Sequence, residues 1–108
     1  MISARYYNAI RKNEISLIVE GHSHFVNGDT GNNDLCVAVS TLIIELTVAM
    51  DNEGLAPEDV EDGKFTARIV NPSDKIRHTM ASIVDTLKWL RSTHKYREDI
   101  EVKDFTIK

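Results

Sequence analysis

The residues with the clearest chemical potential in this chain are Cys36 and His22, which precedes it across a Gly-rich segment. A thiol attacks as the thiolate, and an adjacent imidazolium stabilises that form. Bringing an ordinary thiol pKa from about 8.5 to 7 takes about 2 kcal/mol. A helix N-terminus, where Cys36 is predicted to lie, contributes only about 0.3–1 kcal/mol. The pattern therefore predicts a thiol nucleophile with His22 as its base.

Another interpretation of the same residues stays open. A lone cysteine in an apolar helix is commonly a small packing residue of the core. Ser40 lies one helical turn after Cys36 and on the same side. Its hydroxyl either bonds back to the carbonyl four residues earlier or orients the Cys–His pair.

A metal site is the third interpretation. The side chains of His22 and His24 would project to one side of an extended chain, as two ligands require. Asp29, Asp34 or Cys36 could complete the set. The third ligand is undefined, so no metal and no cofactor are predicted.

The elements that must position these residues follow from the hydrophobic pattern. Alternation over residues 2–10 and 15–19 predicts two strands joined by a polar hairpin. Residues 21–33 are rich in Gly and Asn and predict a long loop. Residues 35–50 are apolar nearly all round, which predicts a largely buried helix capped by Asn33 or Asp34.

The second half of the chain predicts a hairpin, a helix and a strand. The Asp62-Gly63 pair predicts a type I′ turn. Asn71 is predicted to cap a helix with Pro72 in its first turn. The apolar stripe of this helix comprises Ile76, Met80, Ile83, Leu87, Leu90 and His94. Residues 100–107 predict a final strand, with a bulge or bend between Val102 and Phe105. The fold class is therefore α+β, a mostly antiparallel sheet with two helices packed on it, in the order β-β-α-β-β-α-β.

Composition excludes several function classes. The 108 residues, 42% apolar and 28% charged, predict a single domain spanning 1–108. Lysine and arginine number 13 against 17 acidic residues, so direct binding to nucleic acid is not expected. No apolar run has the length of a membrane helix, and the first residues lack the apolar core of a secretory signal. A single cysteine is typical of a reducing cytoplasm.

Two segments resemble a known family. They are GHSHF, from Gly21 to Phe25, and CVAVSTL, from Cys36 to Leu42. They are similar to the Gly-His and Cys-Ala-Ala-Val-Ser segments of the ribosomal-processing cysteine proteases, called Prp. The order of elements and the VEDG hairpin are similar as well.

The resemblance implies a small α+β homodimer that removes a short N-terminal extension from a large-subunit ribosomal protein, cutting after an aromatic residue. It implies that Cys36 is the nucleophile and His22 the base. It also matches Ser40, Gly21 and Gly31 to family positions, and implies that the loop covers the substrate.

The chain departs from the family pattern mainly in the loop. His24 replaces a glycine, Phe25 replaces a tyrosine, and Asn33 replaces an aspartate. The loop is also longer, and Val37 replaces an alanine after the cysteine. These changes predict an altered substrate, such as the tail of a phage assembly protein. A non-catalytic peptide-binding or assembly module of the same fold is the alternative.

Overall fold

A computed structural model gives the fold and describes residues 1–21 and 34–107. The elements are β1 (Ile2–Ala9), β2 (Glu14–Gly21), α1 (Asp34–Asp51), β3 (Asp59–Glu61), β4 (Lys64–Val70), α2 (Asp74–Ser92) and β5 (Ile100–Ile107). Their order along the chain is the predicted one.

The strands form one five-stranded sheet in the order β3-β4-β2-β1-β5. Three neighbouring pairs are antiparallel, and only β5 runs parallel to its neighbour, β1. The α+β class and the mostly antiparallel sheet are therefore confirmed. The α2 helix supplies the crossover that a parallel β5 requires.

The core lies between the helices and one face of the sheet. In β2 the buried residues are Ile15, Leu17 and Val19, and they alternate with half-buried ones. The same alternation buries Ile2 and Ala4 in β1. Period two places these side chains on a single face, as the sequence pattern predicted.

The prediction that α1 is largely buried was wrong. Val37, Ile44 and Val48 are 59%, 61% and 53% exposed. Their spacing places them on the side opposite the buried Leu46, so they form an apolar outer stripe. A helix in a two-layer fold meets the sheet with one side only, and apolar residues all round do not tell which side that is.

The β3–β4 hairpin turns at Asp62 and Gly63, as predicted. The turn type differs from the predicted one. Gly63 has a φ of +77°, but Asp62 is not among the residues with positive φ. A type I′ turn needs positive φ at both central residues, so the glycine alone provides the left-handed geometry here.

The start of α2 lies two residues later than predicted. Ser73 is the N-cap, and its Oγ accepts a hydrogen bond from the Ile76 amide at 3.1 Å. Asn71 instead takes a φ of +53° in the preceding turn. The predicted stripe is buried from Ile76 to Leu90, but His94 follows the helix end and is exposed.

The predicted bulge in β5 is absent. Its register with β1 is unbroken from Ile2↔Ile100 to Ala9↔Ile107. The apparent slip in the pattern has two causes. Asp104 lies on the helix-facing side because it binds Lys88 of α2 at 2.7 Å. Phe105 lies on the open face, where its ring stacks on Tyr7 at 4.9 Å.

Candidate functional site

A groove of about 400 Å³ runs between the first half of α1 and the β3–β4 hairpin. This volume falls within the range typical of small-molecule and peptide pockets. The residues lining the groove are Ile2, Val19, Gly21, Cys36, Val39, Ser40, Ile43, Ile44, Val60, Glu61, Asp62, Gly63, Lys64 and Phe65.

Cys36 lies in the first turn of α1 and lines the groove. It is a half-buried thiol that is not in a disulfide. Ser40 follows one turn later on the same side and is exposed. The predicted helix therefore places Cys36 and Ser40 on one face, and both residues line one groove.

The N-terminal turn of α1 is set by charge as well as by packing. Asp34 is its first residue, where a carboxylate interacts favourably with the helix dipole. Lys95, from the segment after α2, approaches the Asp34 carboxylate at 3.7 Å. The same ammonium lies 5.3 Å from the centre of the Tyr96 ring. These contacts tie the helix start to the far end of α2.

Gly21 ends β2 beside the groove, directly before His22 in the chain. Its φ is +97°, and a Cβ atom there would lie 2.1 Å from the carbonyl oxygen of Met1. Its amide donates to the Gly63 carbonyl at 2.8 Å, which joins the end of β2 to the hairpin turn. Both the backbone conformation and the space therefore require glycine.

The hairpin forms the wall of the groove opposite Cys36. Val60 pairs with Phe65, whose side chain is buried toward the helices, so Val60 also projects to that side. Val60 is nevertheless 67% exposed. Lys64 and Asp59 lie on the opposite side and form an ion pair at 3.7 Å. The hairpin therefore presents the apolar Val60 to the groove, and the charged residues Glu61, Asp62 and Lys64 also line it.

Several predicted site residues lie outside the described residues. They are His22, His24, Phe25 and Gly31, together with the possible cap Asn33 and the possible ligand Asp29. The approach of His22 to Cys36 thus stays a prediction, and so does a His22–His24 metal site. Within 1–21 and 34–107, no group of three or more His, Cys, Asp or Glu side chains could hold a metal ion.

The second wall of the groove is not predictable from the sequence pattern. Val60 and the Asp62-Gly63 turn were recognised only as a hairpin, and Ile43 and Ile44 only as helix residues. Their contribution depends on the assembled fold, which brings the β3–β4 hairpin and α1 to one groove. The one signal in the sequence is the apolar Val60 between charged residues before the turn. A single apolar residue of this kind is too common to indicate a site.

Neither helix in the described ranges is both long enough and apolar enough to span a lipid bilayer.

Comparison with known proteins gives matches in structure but not in sequence. No protein-family model matches the chain, and no curated protein matches it. The ribosomal processing protease Prp from S. aureus, solved with a covalently linked product peptide, superposes with a TM-score of 0.73 at 19% identity. The comparison covers 96% of this chain and 99% of that one.

Two further structures agree. The same protease in complex with a substrate peptide gives a TM-score of 0.72 at 17% identity, over 96% of this chain and 99% of that one. SMU.848 from Streptococcus mutans superposes with a TM-score of 0.69 at 22% identity, over 98% of each chain. At these identities the likeness concerns the fold. This chain therefore has the fold of the ribosomal processing protease Prp over nearly its whole length.

Proposed function

We propose that this protein is a cysteine endopeptidase that removes a short N-terminal extension from a large-subunit ribosomal protein, or a related tail such as that of a phage assembly protein. The observation that carries the proposal is the position of Cys36, at a helix N-terminus and on a groove, in a chain with the Prp fold. We place the activity in the cytoplasm, where a lone cysteine stays reduced.

The proposed mechanism needs no cofactor. His22 takes the proton of the Cys36 thiol, and the sulfur attacks the scissile carbonyl. Amides of the first turn of α1 stabilise the oxyanion. As the tetrahedral intermediate collapses, His22 protonates the leaving amine and a thioester to Cys36 remains. The trimmed protein leaves with the new amine, and water then hydrolyses the thioester and releases the excised N-terminal extension with a new carboxylate.

The remaining predicted residues act on the substrate in this proposal. Ser40 lies one turn beyond Cys36 on the same groove and orients the reacting groups or a water molecule. Gly21 gives the end of β2 the conformation that leads into His22. His24, Phe25 and Gly31 belong to the loop that covers the bound tail.

A cleavage assay tests the proposal. Wild-type protein is incubated with ribosomal and phage assembly N-terminal tails, and the products are identified by mass spectrometry. We expect one internal cut, loss of cleavage in Cys36→Ala and His22→Ala, and unchanged cleavage in the control His78→Ala on α2. Full cleavage by Cys36→Ala or His22→Ala would reject the dyad. A tail that binds wild-type protein without being cut would support the non-catalytic peptide-binding module instead.

We also propose that the protein forms a homodimer through the outer stripe of α1. Val37 and Val48, which do not line the groove, present an apolar face to solvent, and contiguous faces of this kind commonly mark protein interfaces. Val48→Lys lies on this stripe and outside the groove, so it should shift the protein toward monomer in analytical ultracentrifugation. Glu45→Gln, on the same helix, is the control, and a dimer that survives Val48→Lys unchanged would contradict the proposal.

A further inference from the structure

We propose that the acidic tip of the β3–β4 hairpin, formed by Glu61 and Asp62, makes the groove selective for tails that carry a lysine or arginine close to the scissile bond. The inference rests on the proposed function, because it names the substrate class of that same site. It concerns which tail is bound and leaves the chemistry of Cys36 unchanged.

The groove lies over the helix-facing side of the sheet. Its lining includes Ile2 of β1, Val19 of β2 and Phe65 of β4, which are buried residues of the alternating face. The residues of α1 that line it are Cys36, Val39, Ser40, Ile43 and Ile44. None of these lining residues is an Asp, Glu, Lys, Arg or His. The sheet and the helix therefore provide mainly apolar surface, with one thiol and one hydroxyl.

The charged lining residues all belong to the hairpin. Within the described residues, they are Glu61, Asp62 and Lys64. The Lys64 ammonium lies 3.7 Å from the carboxylate of Asp59, so its positive charge is offset within the hairpin itself. Residues 59–64 thus carry three acidic side chains and one basic one. An acidic lining favours a cationic group of the ligand and disfavours an acidic one.

A main-chain hydrogen bond anchors the acidic tip beside the end of β2. The Gly63 carbonyl accepts this bond from the Gly21 amide at 2.8 Å, and Asp62 directly precedes Gly63 in the turn. Both acidic residues of the tip are exposed to solvent. The backbone that carries the two carboxylates is therefore held next to the groove, so a cationic group bound there occupies a defined position along the tail.

A basic side chain matches the boundary between the apolar lining and the acidic tip. Val60 directly precedes the tip and is 67% exposed. Lysine and arginine bury their aliphatic stems on apolar surface while the charged group stays in contact with water. Such a side chain packs its stem on Val60 and brings its cationic group to Glu61 or Asp62. An uncharged side chain of similar length gains only the apolar contact.

A lysine scan of the tail peptide tests this selectivity. Lysine is placed in turn at each position on both sides of the cut, and glutamine and glutamate are placed there for comparison. We expect lysine to lower the KM about two- to fivefold relative to glutamine at one or two positions, the range for an exposed ion pair, and glutamate to raise it there. The preference should disappear in about 1 M salt, which screens such pairs. Equal KM values for lysine and glutamine at every position would overturn the inference.

Two charge-matched double variants assign the effect to the acidic tip. The Glu61→Gln, Asp62→Asn double variant should lose the preference for lysine. The Glu45→Gln, Glu98→Gln double variant removes the same charge from exposed positions that do not line the groove, so it should keep the preference. A preference that survives in both variants, or is lost in both, contradicts a role of the tip.

Binding to Cys36→Ala protein separates this inference from the proposed function. The Kd values of the lysine and glutamine tail peptides are measured by fluorescence anisotropy. A lower Kd for the lysine peptide, without cleavage by wild-type protein, rejects the protease and keeps the charge selectivity. Cleavage by wild-type protein with equal Kd values for the two peptides rejects the charge selectivity and keeps the protease.

Discussion

At the scale of single residues, helix geometry and neighbouring backbone determine which residue types can occupy the site. Cys36 and Ser40 face one groove because they are one helical turn apart. Gly21 ends β2 at a place where the backbone of Met1 and Ile2 leaves no space for a side chain.

Replacing Gly21 by alanine should therefore destabilise the fold. The Cβ atom would meet the Met1 carbonyl oxygen at 2.1 Å, and positive φ adds strain. We expect a loss of about 1–3 kcal/mol in the free energy of unfolding, measured by urea denaturation. Gly54→Ala is the control, because Gly54 also has positive φ but has nothing within 4 Å. Equal losses in both variants would show that the contact with Met1 has no effect.

Val60 gives a prediction about specificity. Its exposed side chain lies on the groove side of the hairpin, so Val60→Ser removes apolar contact area for the substrate and leaves the core intact. We expect a several-fold rise in KM for tails with an apolar residue there, with little change in kcat. Val70→Ser, another exposed strand valine that does not line the groove, should leave both constants unchanged.

At the scale of elements, polar contacts hold α2 to β5 at the sheet edge. The Lys88 ammonium binds the Asp104 carboxylate at 2.7 Å. This hydrogen bond lowers the pKa of Asp104 below its usual 3.8 and raises the pKa of Lys88 above 10.5. Both groups are charged near neutral pH, so the ion pair contributes to the stability of the fold at that pH.

The pH dependence of this ion pair follows from the lowered pKa of Asp104 and the raised pKa of Lys88. With a folded pKa below 3.8, Asp104 stabilises the fold above that pH and the effect is lost as pH falls through the folded value. With a folded pKa above 10.5, the contribution of Lys88 is lost as pH rises through that value. Asp104→Asn should therefore cost about 0.2–1 kcal/mol at pH 7 and progressively less at acid pH. A cost that does not change with pH in urea titrations would contradict the ion pair.

The cap of α2 gives a further prediction at this scale. Ser73 accepts from the Ile76 amide and donates to Glu53 at 2.9 Å, which joins the helix start to the segment after α1. Ser73→Ala should cost about 1 kcal/mol of stability in chemical denaturation. Ser82→Ala, on the exposed side of α2, should be neutral or slightly stabilising, and an equal cost in both would argue against the cap.

How much the sequence predicts differs between elements. Period-two alternation identifies β1, β2 and β4, because one face of each strand is buried. The same pattern wrongly predicted a bulge in β5. There, Asp104 faces the helices because it forms an ion pair, and Phe105 faces the open side because its ring stacks on Tyr7. It also put the cap at Asn71, since Asn and Ser are both good caps and only the φ of +53° excludes Asn71.

At the scale of the whole molecule, the fold brings together residues that are far apart in the chain. The sheet order places β3 at one edge, and this order cannot be read from local patterns. The sequence predicted Cys36 and Ser40 correctly as neighbours on one helix face. It missed the hairpin wall at Val60, because only the assembled sheet shows that a groove lies between them.

The most direct test of the account is to trap the proposed nucleophile. A chloromethyl ketone built on a cleavable tail peptide is mixed with the protein, and the modified residue is mapped by mass spectrometry. We expect one label per chain on Cys36, slower labelling in His22→Ala, and unchanged labelling in His78→Ala. Labelling elsewhere, or a Cys36 that reacts no faster with the peptide reagent than with chloroacetamide, would contradict the assignment of this groove as a protease active site.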